Sequence, residues 1–176
     1  MHTIVASTWR HTLSANHADG HNTTHVQLQA NHCFGCGADN PEGMQLKFRF
    51  DEAAHQALCD FVLPRRYQGP PNQSHGGIIA TILDEAMGKV NKLRNVIALT
   101  KSMNIEYLKP VPLETPLVAL GFEKCVTGRE HHNGAEIRNA AGEVLARSEG
   151  VFIAVDRKRL EEKLRRNSSA SGADVP

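Results

Sequence analysis

Between residues 44 and 156 the apolar positions of this chain switch between two periods. In MQLKFRF, Met44, Leu46, Phe48 and Phe50 recur at every second position, the spacing of a strand with one buried face. Residues 56–63 (QALCDFVL) predict a second strand across a DEAA connection. RRYQGPPNQS is dense in turn formers and predicts a loop. Ile79, Ile82, Leu83, Ala86, Met87 and Val90 then recur at helical spacing, with Asp84, Glu85 and Lys89 as the charged exceptions. A helix this apolar is buried on most sides. Four more strand candidates follow: ALTKSMNIEYL, PLVALGFEKCV, HHNGAEIRNA and EVLARSEGVFIAV. KPVPLETP separates the first two, and Ala141-Gly142 is the turn of a hairpin between the last two. The pattern therefore predicts an α+β domain over 31–156, an antiparallel sheet of five to six strands wrapped around one long central helix. Such a wrap leaves the helix end and one sheet edge uncovered, which favours self-association.

The flanks lack either period. Residues 1–30, rich in His, Asn and Thr, read as a mobile arm with local helix around Trp9. Residues 157–176 read as a short charged helix carrying Leu160 and Leu164, followed by a flexible tail. The 20 Lys and Arg nearly balance the 19 Asp and Glu, and aromatics make up 5% of the chain. That balance argues against general attraction to nucleic acid or an anionic membrane, and against a base-stacking surface. No apolar run approaches a membrane span, and the N-terminus lacks a signal-peptide pattern, so the expected location is cytoplasmic. Cys33, Cys36, Cys59 and Cys125 do not form the framework of a secreted disulfide-rich domain.

The chemistry concentrates in HGGIIATILDEAMG. His75-Gly76-Gly77 opens the helix, where unpaired N–H groups and the positive end of the dipole suit a developing oxyanion. Asp84 is a carboxylate able to act as general base or nucleophile. Seven residues separate Gly77 from Asp84, two turns on one helix face and about 10 Å along the axis. One reacting carbonyl cannot touch both, so a shared substrate requires the second group from an antiparallel copy of the helix. Glu85, about 100° around the helix from Asp84, is expected to make a salt bridge or line the rim. Read alone, the glycines also suit a plain tight turn, and Thr100 an ordinary strand position.

Three segments, CFGCGADNPEGMQLKF, YQGPPNQSHGGIIATILDEAMG and ALTKSMNIEYLKPVPLETPL, occur in the order found in the hotdog-fold acyl-CoA thioesterases. The chain resembles the phenylacetate-pathway type and its mitochondrial relatives over residues 32–156. The resemblance implies a thioesterase that hydrolyses acyl-CoA, in a homodimer or homotetramer with a site shared between subunits. It implies Asp84 as the catalytic carboxylate, the Gly76 N–H as the carbonyl-polarising group with Gly77 beside it, and His75 as the residue holding loop and substrate. It implies Thr100 as the group orienting the water. Where some relatives place an Asn six residues before the His, this chain has Gly69, and Asn72 is the amide able to replace it. Lys101 and Arg129 are the favoured contacts to CoA phosphates, with Arg65, Arg66 and the basic run 157–159 as further candidates. CoA is part of the substrate, and no cofactor is expected. The alternatives are a non-catalytic acyl-CoA or acyl-carrier binding module, and the hydratase branch of the fold.

His32-Cys33-Phe34-Gly35-Cys36 is the remaining motif. One C-x-x-C is half a zinc site, and the sequence supplies no second half. Cys59 and His55 could complete it only through the fold. A redox C-x-x-C usually opens a helix in a βαβ setting, unlike this one. The motif is read as a capping loop, with no metal.

Overall fold

The computed structural model describes residues 30–156 and residue 162. The readings of a mobile arm, of helix around Trp9, and of a charged helix and tail after 156 fall outside the described residues, apart from Ala30 and Glu162. Six strands, β1 (Arg49–Asp51), β2 (Gln56–Val62), β3 (Ala98–Tyr107), β4 (Pro116–Thr127), β5 (Glu130–Asn139) and β6 (Val144–Ala154), surround one helix, α1 (Gly76–Val90). They form a single sheet in the order β1-β2-β4-β5-β6-β3. Every neighbouring pair is antiparallel, as the alternating pattern predicts.

The six apolar residues that define the helical period, Ile79, Ile82, Leu83, Ala86, Met87 and Val90, are the ones α1 buries. All but Val90 share one core with Leu117 and Ala119 of β4, Ala135 and Ile137 of β5, and Ala146 and Phe152 of β6. Ile82 and Leu83 are fully buried, and each such side chain contributes about 1.5–3 kcal/mol. The helix backbone lies close against the sheet at Gly121, where a Cβ would stand 2.1 Å from the Ala86 carbonyl oxygen. A glycine in β4 is what lets α1 lie this deep. Near the other helix end, buried Asn133 donates to the Met87 carbonyl at 2.9 Å and to Asn91 Oδ1 at 3.1 Å. Those bonds tie the end of α1, where C-terminal carbonyls lack intrahelical donors, to β5.

The first strand is shorter than its alternation predicts. Only Arg49–Asp51 pair with β2. Met44 and Leu46 instead donate their N–H groups to the carbonyls of Phe34 and Gly35, at 2.7 and 2.9 Å. Three of the four side chains keep their expected face, Leu46 buried and Met44 and Phe48 packed against the core, whereas Phe50 is exposed. Period-2 alternation reports which face is buried, and it is silent on whether the hydrogen-bond partner is a strand or a loop. At the predicted hairpin, Gly142 has φ +80°, and Asn139 Oδ1 accepts from the N–H groups of Ala141 and Glu143.

One long edge remains open. Among the described residues β3 pairs only with β6, and Leu99, Tyr107 and the following Leu108 are exposed. Such an edge offers unpaired backbone groups beside apolar side chains, the combination that invites another strand. No helix among the described residues is long and apolar enough to cross a membrane.

Candidate active site

The loop before α1 aims the helix start. Ser74 donates its N–H to the Val111 carbonyl at 2.8 Å, and His75 to that of Tyr67 at 2.9 Å. His75 is the N-cap, and its Nδ1 accepts from the Gly77 N–H at 3.0 Å. In the neutral ring the proton therefore sits on Nε2. The Gly77 N–H is thus engaged by the cap, while Gly76 brings the first N–H of the helix, which has no intrahelical acceptor. The Tyr107 hydroxyl, from the far end of β3, donates to the Gly76 carbonyl at 3.2 Å. Position 69 is closed to any side chain, because a Cβ there would fall 2.8 Å from His75 Cα. Asn72 takes φ +61°, a left-handed turn conformation that asparagine tolerates, and its N–H donates to Gln68 Oε1 at 3.3 Å.

Two turns along α1, Asp84 Oδ1 accepts a hydrogen bond from Thr100 Oγ1 at 2.8 Å. Burial pushes the Asp84 carboxyl above its ordinary range; the Thr100 hydroxyl opposes that shift and the neighbouring Glu85 charge adds to it. A carboxylate in this setting is more basic than one in water, yet it is oriented by a donor. Glu85 lines the same cleft as Asp84 but has different partners. It pairs with Lys89 at 3.3 Å and accepts from Cys33 Sγ at 3.2 Å. Burial raises the Glu85 carboxyl, but hydrogen bonds from Cys36, Cys33 and Lys89 and the Lys89 charge outweigh it, so the net shift is downward. The salt bridge expected of Glu85 is present.

Asp84 opens on a cleft of ≈ 230 Å³, whose walls include Thr100, Leu99, Phe152, Cys36, Lys89 and Lys92. A larger groove of ≈ 470 Å³ lies between Asn104, Lys124, His132 and Glu149, and none of the candidate catalytic or substrate-binding residues lines it. The candidate phosphate contacts separate into two regions. Lys101 pairs with Glu130 at 2.7 Å, and the Arg129 guanidinium donates to the Ala154 carbonyl at 3.1 and 2.9 Å. Both are on the Thr100 side of the sheet, since Thr100 pairs with Phe152 and Glu130 with Ile153. Arg65 and Arg66 precede the helix start, Arg65 paired with Glu114 at 3.0 Å and Arg66 over the Tyr67 ring. The run 157–159 lies outside the described residues.

Within one chain, Thr100 and Asp84 meet, and so do His75 and Gly77. Gly76 and Asp84 do not, being eight residues and about 12 Å apart along the axis. Sequence reading missed Tyr107, because nothing local announces that the end of β3 returns to the helix start. It also missed the joining of Cys33 and Cys36 to Glu85 and Lys89. The i, i+4 spacing of Glu85 and Lys89 was legible, but their docking on a loop some fifty residues earlier was not.

The thioesterase superfamily matches residues 74–146, from the residue before His75 into β6. The rat acyl-coenzyme A thioesterase THEM4 is 28% identical over 115 residues, 65% of this chain and 50% of that protein. The human acyl-coenzyme A thioesterase THEM5 is 25% identical over 123 residues, 69% of this chain and 49% of that protein. The chain thus spans about half the length of these curated relatives. A solved thioesterase superfamily protein superposes with a TM-score of 0.66 at 29% identity, over 70% of this chain and 60% of the other. A Streptococcus mutans protein solved with acetyl CoA bound shares the fold with a TM-score of 0.58 at 18% identity, over 62% of this chain and 88% of the other.

Proposed function

We propose that the chain is a hotdog-fold acyl-CoA thioesterase, hydrolysing a thioester to a free acid and CoA, a reading supported by the thioesterase superfamily match over residues 74–146 and by the similarity to THEM4 and to a solved thioesterase superfamily protein. The observation that carries the proposal is the pairing of a half-buried Asp84 with the Thr100 hydroxyl at 2.8 Å, on the wall of a cleft. Asp84 accepts the proton of the attacking water, and Thr100 orients the carboxylate. The Gly76 N–H polarises the thioester carbonyl, with Gly77 held by the His75 cap. One such donor lowers the barrier by about 3 kcal/mol. A thiol leaves with a pKa of about 8.5, so no strong general acid is needed. Lys101 and Arg129 receive the CoA phosphates by exchanging their intramolecular partners, and Asn72 contributes from the loop.

Two subunits complete the site in this proposal. Thr100 marks the Asp84 end of the free edge strand and Tyr107 marks the Gly76 end. If β3 pairs antiparallel with a second copy so that Thr100 lies opposite the partner's Tyr107, the Asp84 of one protomer approaches the Gly76 of the other. A two-fold axis then creates two equivalent sites, and the exposed Leu99, Tyr107 and Leu108 fall at the seam. A tetramer would be two such dimers. The cytoplasmic location is part of the same proposal, supported by the free Cys33, Cys36, Cys59 and Cys125, which suit a reducing compartment.

The test is thiol release from a panel of acyl-CoAs by the wild type and Asp84→Asn. Turnover that collapses in the variant supports the reading. Saturable acyl-CoA binding with no turnover by the wild type identifies a binding module instead.

A further inference from the structure

The proposed hydrolysis leaves one polar cluster unused. The Cys33–Cys36 turn, closed by a hydrogen bond from the Gly37 N–H to the Cys33 carbonyl at 2.9 Å, docks onto α1 beside Glu85. Cys33 Sγ lies 3.2 Å from Glu85 Oε1, and Cys36 Sγ lies 2.7 Å from Lys89 Nζ. One ligand atom from each of Cys33, Cys36 and Glu85 falls within 4.8 Å of the others. The loop is shaped for this approach. At Gly35 a Cβ would stand 2.5 Å from Glu85 Cγ, and at Gly37 one would stand 2.4 Å from the Asn31 carbonyl oxygen. Neither position has room for a side chain while the thiols face the helix.

From this juxtaposition we infer that Cys33, Cys36 and Glu85 are the protein ligands of a zinc ion, with the fourth position open to water. The spacing of the two cysteines is that of a zinc chelate, and a carboxylate completes three ligands of the types zinc accepts. Two thiolates select zinc over magnesium or calcium, which prefer oxygen. The charges also close. Two thiolates and a carboxylate exceed the ion's charge by one negative unit, and the Lys89 ammonium beside Cys36 supplies one positive unit and an N–H donor to the sulfur. Binding releases the two thiol protons to solvent and involves no oxidation. The ion pins the segment 31–46 to α1 one residue from Asp84, as a structural staple rather than a participant in hydrolysis. Neither Cys59, buried in β2, nor His55, in the turn before β2, joins this set.

The inference stands apart from the hydrolytic reading, and its test reads metal rather than turnover. The full chain, expressed with zinc and dialysed exhaustively against metal-free buffer, is expected to retain about one zinc per chain by elemental mass spectrometry. Replacement by cobalt should give the intense visible bands of a tetrahedral site and a thiolate-to-cobalt charge-transfer band. Both are expected to vanish in Cys33→Ser and in Cys36→Ser, and to persist in Cys125→Ser. Circular dichroism on each variant separates loss of ligand from loss of fold. A folded wild type without stoichiometric zinc or cobalt bands overturns the inference. So does zinc that persists in the double serine variant, which would place it on the histidines of residues 1–30.

Discussion

The Thr100 hydroxyl donates to Asp84 Oδ1 at 2.8 Å, joining the open edge of the sheet to the middle of the buried helix. Only the fold makes this pair, since sixteen residues and a change of element separate its members. If the bond holds the ionised base, removing it weakens the base's orientation and raises its pKa together. Asp84 is already above the ordinary aspartate range through burial, and the rate needs its charged form. Activity therefore falls as pH drops through the raised pKa. Thr100→Val is expected to move that acid limb to higher pH and to lower kcat/KM about 10–100-fold, the worth of a hydrogen bond to a charged group. A pH–rate profile checks both, and an unmoved limb contradicts the role given to Thr100.

Asp84→Asn is expected to cost about 10²–10⁴-fold in kcat, the range for a general base, without cost to stability. The sign follows from linkage. A carboxyl whose folded pKa lies above its unfolded one holds more protons folded than unfolded across that window, so stability falls as pH rises through it. At neutral pH the ionised Asp84 thus burdens the fold, and Asn removes the burden. Thermal melts at neutral pH should show the variant equal to or above the wild type in Tm. A large drop in Tm would make Asp84 a structural carboxylate.

The open edge of β3 makes a separate prediction about assembly. Placing charge at Leu99 or Tyr107, both exposed, is expected to oppose strand pairing by desolvation and like-charge repulsion across the two-fold axis. The wild type is expected to sediment as a dimer, and Leu99→Arg and Tyr107→Arg as monomers at the same concentration, with turnover lost in proportion. A monomeric variant with full activity would separate assembly from catalysis.

Gly121→Ala tests the packing that sets the depth of α1. The added methyl would meet the Ala86 carbonyl at 2.1 Å, a backbone atom with no rotamer to yield. Overpacking of this kind costs about 1–3 kcal/mol and sometimes more. Chemical denaturation should show a lowered midpoint, whereas an unchanged midpoint would mean that α1 shifts freely.

The helix and five of the strands were legible from their apolar periods, although β3, at the edge, carries no fully buried residue. The helix positions from Ile79 to Val90 that recur at 3.6 are the buried ones. Residues 44–48 misled because side-chain alternation survives while the backbone bonds to a loop. The site was half legible. The helix cap, Gly76 and Asp84 sit on one element, so spacing alone places them and shows that they cannot meet within a chain. Thr100 was reached through resemblance, and Tyr107 not at all, since both act through a strand whose path over the helix is set by tertiary packing. The cysteine loop read as half a site because Glu85 and Lys89 belong to a helix met fifty residues later.

Complementation between two inactive variants tests the shared site most directly. Gly76→Pro removes the proposed N–H donor at a helix position that accepts proline, and a Cβ there meets nothing nearer than Tyr107 at 3.7 Å. Mixed with Asp84→Asn under conditions that exchange subunits, half of the dimers become hybrids, each with one intact site and one doubly defective site. The account predicts that activity absent from either variant alone returns to about a quarter of the wild-type level. Exchange verified by mass spectrometry with no recovered turnover would contradict it.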